Sequence, residues 1–168
     1  MPKTWHVVGY LSLVCLSGCG GSPDDAQSSQ SYAQASITKS ATEEIAFQTV
    51  DANLYSGITG PETHVVRDAN SWETLWLEHK KNEVPPSPHP LIDFSRETIL
   101  AVFLGVRQTG CYDVKIRRIY AEDETVFVEY EEIRPGPGAI CTQALSAPAH
   151  IVAIPRTDQP TIRFMRSG

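Results

Sequence analysis

Apolar and polar positions along this chain fall into short runs that switch between two periods. Ile99 to Leu104 is an unbroken apolar run. It is too short to cross a membrane and rich in strand formers, which predicts a strand buried on both faces. Past Gly105, Tyr112, Val114 and Ile116 alternate with Asp113, Lys115 and Arg117, the period of a half-buried strand. Gly105 and Gly110 frame the residues between, so the expectation is a central hairpin whose loop displays Arg107, Gln108 and Thr109. Further strands are expected over 45–50, 63–67, 126–130, 150–155 and 161–164. Trp72, Leu75, Trp76 and His79 recur at i, i+3, i+4 and i+7. That spacing predicts one helix over 71–80, capped by Asn70 with Glu73 or by Ser71, with Glu78, Lys80 and Lys81 on its wet side. Pro85, Pro86, Pro88 and Pro90 forbid regular structure just after it. Such a pattern describes a mainly β domain with one packed helix, an α+β, sandwich-like single domain of about seven strands. Short turns imply mostly antiparallel pairing.

The N-terminus follows other rules. Lys3 precedes a mostly apolar stretch ending in Leu16-Ser17-Gly18-Cys19, which resembles a bacterial lipoprotein signal. The expectation is cleavage before Cys19 and acylation of that cysteine, palmitate included. Gly20, rather than an aspartate, then favours the outer membrane of a Gram-negative envelope, facing the periplasm or the cell surface. Residues 1–18 are the signal and 19–42 the lipidated cysteine with a Gly/Ser/Ala/Gln tether of roughly 25–30 Å. Residues 43–168 are the folded domain.

Charge and cysteines narrow the function classes. The formal net charge is −6 without a Lys/Arg cluster, which speaks against nucleic acid as a partner. Of four cysteines, Cys15 leaves with the signal and Cys19 is acylated. Cys111 and Cys141 remain in an exported compartment, where a disulfide is the simplest fate. A redox thiol or a metal site is the alternative, but there is no Cys-x-x-Cys and no neighbouring histidine.

Catalytic patterns are missing from the sequence: no Gly-x-Ser-x-Gly, no phosphate-cradling glycine loop, no His-Glu-x-x-His. His64, His79, His89 and His150 are scattered singly and read as surface or satisfied core residues. Glu131 and Glu132 adjoin and so face opposite sides of a strand. The acids from Glu122 to Glu132 read as a solvated strand edge. A non-enzyme without cofactor or metal is therefore expected, and its chemistry is displayed surface. Two loops stand out: Arg107, Gln108, Thr109, Gly110 and Tyr112 on one, Arg134, Pro135 and Gly136 on the other. Tied by a Cys111–Cys141 disulfide, they would present one pre-organised face to a protein partner.

The run Ala101-Val-Phe-Leu-Gly-Val-Arg-Gln-Thr-Gly-Cys-Tyr-Asp-Val-Lys-Ile116 resembles the core motif of the protease complex subunit PrcB family. Gly105, Thr109, Gly110 and Tyr112 match the family's apolar strand, Gly and Thr-Gly-Gly-Tyr pattern, while Cys111 stands where that motif has its second glycine. Ser71-Trp-Glu-Thr-Leu-Trp76, Asp93-Phe94 and Ala147 to Pro155 extend the resemblance over residues 71–155. It implies a non-catalytic accessory subunit that holds or stabilises an exported subtilisin-like protease complex. Thr109, Gly110 and Tyr112 also resemble the loop of chagasin-type cysteine protease inhibitors, which makes an inhibitor the alternative. The expected partners are an exported protein, with a protease as the candidate, and the membrane reached through the lipid on Cys19.

Overall fold

The chain in the computed structural model is described from residue 42 to residue 168. The expected signal peptide, Cys19 and all but the last residue of the expected tether lie outside the described residues. Eight strands and one helix follow in the order β1 (Glu43–Glu44), β2 (Gln48–Asn53), β3 (Glu62–Val66), α1 (Ala69–His79), β4 (Glu97–Phe103), β5 (Asp113–Glu122), β6 (Thr125–Ile133), β7 (Ala149–Pro155) and β8 (Thr161–Ser167). They form two four-stranded sheets, a central one ordered β2-β7-β4-β3 and an outer one ordered β1-β5-β6-β8. The domain is thus mostly β with one helix, as the residue pattern predicts.

The apolar run of β4 is explained by what covers it. Ile99, Ala101 and Phe103 point to one side and join Trp72, Leu75 and Trp76 of α1 in a first core. Leu100, Val102 and Leu104 point to the other and meet Val114, Ile116, Ile119, Val126 and Val128 of the outer sheet. All six β4-run residues are 0–4% exposed. Burying such side chains contributes roughly 1.5–3 kcal/mol each, so this double-sided strand anchors the stack of helix, central sheet and outer sheet.

The predicted hairpin is not one. β4 pairs with β3 and β7, whereas β5 pairs with β1 and β6 in the other sheet. Both edges of β4 are filled by partners distant in sequence, and the alternating face of β5 packs over β4 instead of beside it. Residues 104–112 cross between sheets. Gly105 permits the turn: its φ is +70°, and a Cβ there would lie 2.6 Å from the Thr59 carbonyl oxygen.

Other boundaries moved for local reasons. The expected first strand over 45–50 breaks into β1 and β2, because residues 45–47 carry the chain from one sheet to the other, with the Ile45 N–H bonding the Ile119 carbonyl. The helix begins at Ala69 and is capped by Asp68, not by Asn70 or Ser71: Asp68 has extended backbone angles, and its carboxylate accepts the Ser71 N–H at 2.9 Å and hydroxyl at 2.8 Å. Lys80, expected on the wet side, is 5% exposed and reaches Asp51 at 3.3 Å and Glu83 at 3.0 Å. The proline segment runs along the helix and accepts both indole N–H groups, Trp72 to the Pro90 carbonyl and Trp76 to the Ser87 carbonyl. β8 pairs with β6 in parallel, against the antiparallel expectation. It arrives from the central sheet rather than through a hairpin, so no short turn dictates its direction. This pairing also places β6 inside its sheet, so the acids of 122–132 do not line an edge.

Candidate functional site

The two singled-out loops meet at one end of the domain. Cys111 and Cys141 are joined by a disulfide with Cα atoms 5.4 Å apart. Backbone bonds extend the tie: Arg107 N–H to the Ser146 carbonyl at 2.7 Å, Ser146 N–H to the Arg107 carbonyl at 3.0 Å, and Gly110 N–H to the Thr142 carbonyl at 3.2 Å. Gly110 lies so close to Thr142 that an added Cβ would sit 2.2 Å from its hydroxyl oxygen. The loop after β4 is therefore zipped to the segment that leads into β7.

Its polar groups are unequally available. The Thr109 carbonyl accepts the Ser146 hydroxyl at 2.7 Å, and the Thr109 hydroxyl accepts the Cys111 N–H at 3.4 Å. Gln108 is exposed, and Tyr112 is half-buried with the Arg107 guanidinium 6.0 Å from its ring centroid. In the second loop Pro135 is half-buried, and the Gly136 carbonyl accepts the Ala139 N–H at 3.1 Å.

Arg107 and Arg134 converge on Glu132, which the residue pattern places on a solvated strand edge. The Glu132 side chain is only 5% exposed. One oxygen accepts Arg107 Nε at 3.1 Å; the other accepts Arg134 at 3.1 Å and Arg166 Nη1 at 2.9 Å. Burial works against the Glu132 charge, but the Arg134 and Arg107 hydrogen bonds outweigh it and hold the carboxyl below its ordinary range. Arg107 is further locked by donating to the carbonyls of Leu104 and Val106. Glu131, on the opposite face, bonds Arg117 at 2.7 Å. The parallel pairing of β8 sets Arg166 opposite Tyr130 and brings it to Glu132. No local sequence signal announces that meeting.

A second polar cluster lies under the helix. His79 Nδ1 is 2.8 Å from the Ser56 hydroxyl and Nε2 is 2.8 Å from Asp51. The order serine, histidine, aspartate is that of a hydrolytic triad, but a nucleophile has to meet its substrate. The Ser56 residue is 2% exposed, and its hydroxyl accepts the Ile58 N–H. The cluster fastens helix to sheet, as expected of a satisfied core histidine. Burial opposes ionisation of Asp51, while His79 and Lys80 favour it more strongly and keep its pKa below the usual value. His150 is likewise buried and bonded, between Thr49 and the Ile116 backbone.

The family model described as PrcB C-terminal matches residues 98–155, from the second residue of β4 to the end of β7. Over that span, which holds both loops and the disulfide, the chain is similar to that family, as the Gly105 to Tyr112 motif suggests. The helix and the Asp93-Phe94 pair lie outside the matched span. No curated protein and no solved structure matches the chain.

Proposed function

We propose that this protein is a non-catalytic, lipid-anchored protein-binding module, an accessory or stabilising subunit of an exported protease complex. The similarity of residues 98–155 to the PrcB C-terminal family carries this function. Two structural features support it. The segments 107–112 and 134–142 are held together by a disulfide and by backbone bonds, so a partner meets a face whose ordering cost has largely been met on folding. The Ser56–His79–Asp51 arrangement is enclosed, so its groups act in packing. Cys19 supplies the membrane attachment and the tether holds the domain off the bilayer, in the bacterial cell envelope.

Affinity purification of the full chain from solubilised membranes, followed by mass spectrometry and a protease assay on the eluate, tests the function. An exported protease that co-purifies and stays active is the expected result. Eluates free of protease overturn it. Inhibition of a papain-like protease by the purified chain would instead favour the inhibitor alternative.

A further inference from the structure

We infer that the arginines gathered on Glu132 form a recognition site for the carboxylates of an acidic polypeptide segment. The site deepens the protein-binding function proposed above, on which its biological use rests.

One buried carboxylate needs one cation, and Arg107 already provides it from within, pinned by two carbonyls. Arg134 and Arg166 are added to the same carboxylate through one N–H contact each. Their side chains are 60% and 49% exposed. A guanidinium carries five N–H donors in a planar fork, so most of each fork stays available for a second, incoming carboxylate. Three arginines surround Glu132, and Glu62 on the adjoining groove is a second negative group, so one positive charge is left over. Glu131 does not offset the surplus, because it is taken by Arg117. Such a concentration of positive charge runs against a chain of net charge −6.

Shape says what kind of anion fits. A groove of about 190 Å³ adjoins the cluster; its wall is mainly polar, with Thr63, Arg107, Tyr130 and Arg166 along it, and Phe103 and Leu104 lie buried beneath. Glu62 lies on the groove too, with its carboxylate bonded to His64 at 2.9 Å. A mainly polar wall beside planar donors suits an extended peptide that presents acidic side chains at intervals. An anionic membrane is a poorer match, since a groove of about 190 Å³ admits a single chain segment and not a lipid surface. Parallel pairing of β8 with β6 builds the site, as it brings Arg166 to the end where the two loops lie.

The probe is a fluorescent ten-residue peptide of alternating leucine and glutamate, titrated against the full chain, with the leucine–glutamine peptide alongside. Saturable binding of the glutamate peptide is expected, weakened by raised salt and by at least about tenfold in the Arg134→Ala/Arg166→Ala double variant. The variant leaves the Arg107–Glu132 pair in place, and a melting curve checks its fold. Should that curve shift, Arg166→Gln alone repeats the measurement. Equal binding of the glutamine peptide overturns the site. So does undiminished binding by the folded variant, or equal competition from inorganic phosphate or phosphatidylglycerol vesicles. Failure of the broader function reads differently: no protease then co-purifies with either the native chain or the variant, while peptide binding stands. A protease captured equally well by both removes this site and leaves the function.

Discussion

The backbone N–H of Ile116 donates to His150 Nδ1 at 2.9 Å, and this bond joins the outer sheet to the central one. Ile116 sits where the β5–β6 register slips, and His150 lies on β7 against that slip. Because Nδ1 accepts, the ring proton resides on Nε2, 3.0 Å from the Thr49 hydroxyl. The neutral ring is therefore the form the fold requires.

Acidification is expected to loosen the domain in two stages. Burial pushes the His150 pKa below 6.5; Asp113 and Asp51 act the other way, and Lys115 and Arg117 act with burial. A depressed histidine takes up its proton more readily in the unfolded chain. Its contribution is thus fully present above the unfolded pKa and is lost as pH falls through the folded one. Below about pH 6.5 the urea midpoint should fall, with a slope of at most ~1.4 kcal/mol per pH unit from this one proton. Asp51 and Glu132 are depressed carboxylates, so their contributions go only at pH values below 3.8 and 4.5. His150→Gln, which keeps an acceptor without titrating, should remove the first stage and leave the second. An unchanged first stage would assign it to another group.

Trp76 is 4% exposed and packs in the helix-side core with Trp72 at a ring distance of 5.2 Å. Trp76→Ala removes that volume and leaves the Ser87 carbonyl without its indole donor. A loss of about 3–5 kcal/mol is expected, read as a drop in Tm. A Tm within a degree or two of the native one would mean the indole contributes little to the core.

The two-sided strand β4 was readable because its pattern is complete within six residues and needs only that both faces be covered. Its partners were not, since a sheet edge is filled by whichever strand arrives, and β3 and β7 come from far along the chain. The β5 irregularity between Ile116 and Arg118, where Arg117 and Arg118 are exposed together, breaks the period of two just past the stretch over which the alternation is read. Lys80 looked wet on a helical wheel, but it follows the last helical residue, where Asp51 draws it inward. At the candidate site the glycines, prolines and cysteines named both loops. Glu132 stayed hidden because adjacent glutamates usually mark a solvated surface. Its role depends on Arg166, supplied by a parallel pairing that no hydrophobic period encodes.

Cys111→Ser and Cys141→Ser should each destabilise the domain by about 3–4 kcal/mol, given a sequence separation of 30 between the cysteines. Thiol labelling of the unreduced native protein should find neither residue reactive. Rapid labelling of both would mean that the loops are held by their backbone bonds alone.

If residues 1–19 act as a lipoprotein signal, Cys19→Ser removes the thiol that accepts the lipid, and chain from which the leader has been cleaved should leave the membrane fraction. The measurement is fractionation of cells with an antibody to the folded domain. A variant retained in full on the membrane would place the attachment elsewhere in the sequence.

Glu132→Gln tests the hub directly. The amide keeps the size of the side chain but cancels the one charge shared by Arg107, Arg134 and Arg166. Arg107 is the least exposed of the three and stays fixed by two carbonyls, so its guanidinium cannot swing fully into water. Removing the partner of a largely buried charge is costly, and a loss of about 1–3 kcal/mol is expected at pH 7. The loss should shrink as pH falls below the Glu132 folded pKa, where the native carboxyl also becomes neutral. Arg166→Ala removes an outer cation and should change stability far less, by about 0–1 kcal/mol. Equal losses for the two variants would show that the cluster behaves as separate surface pairs, and that Glu132 does not organise the loops around it.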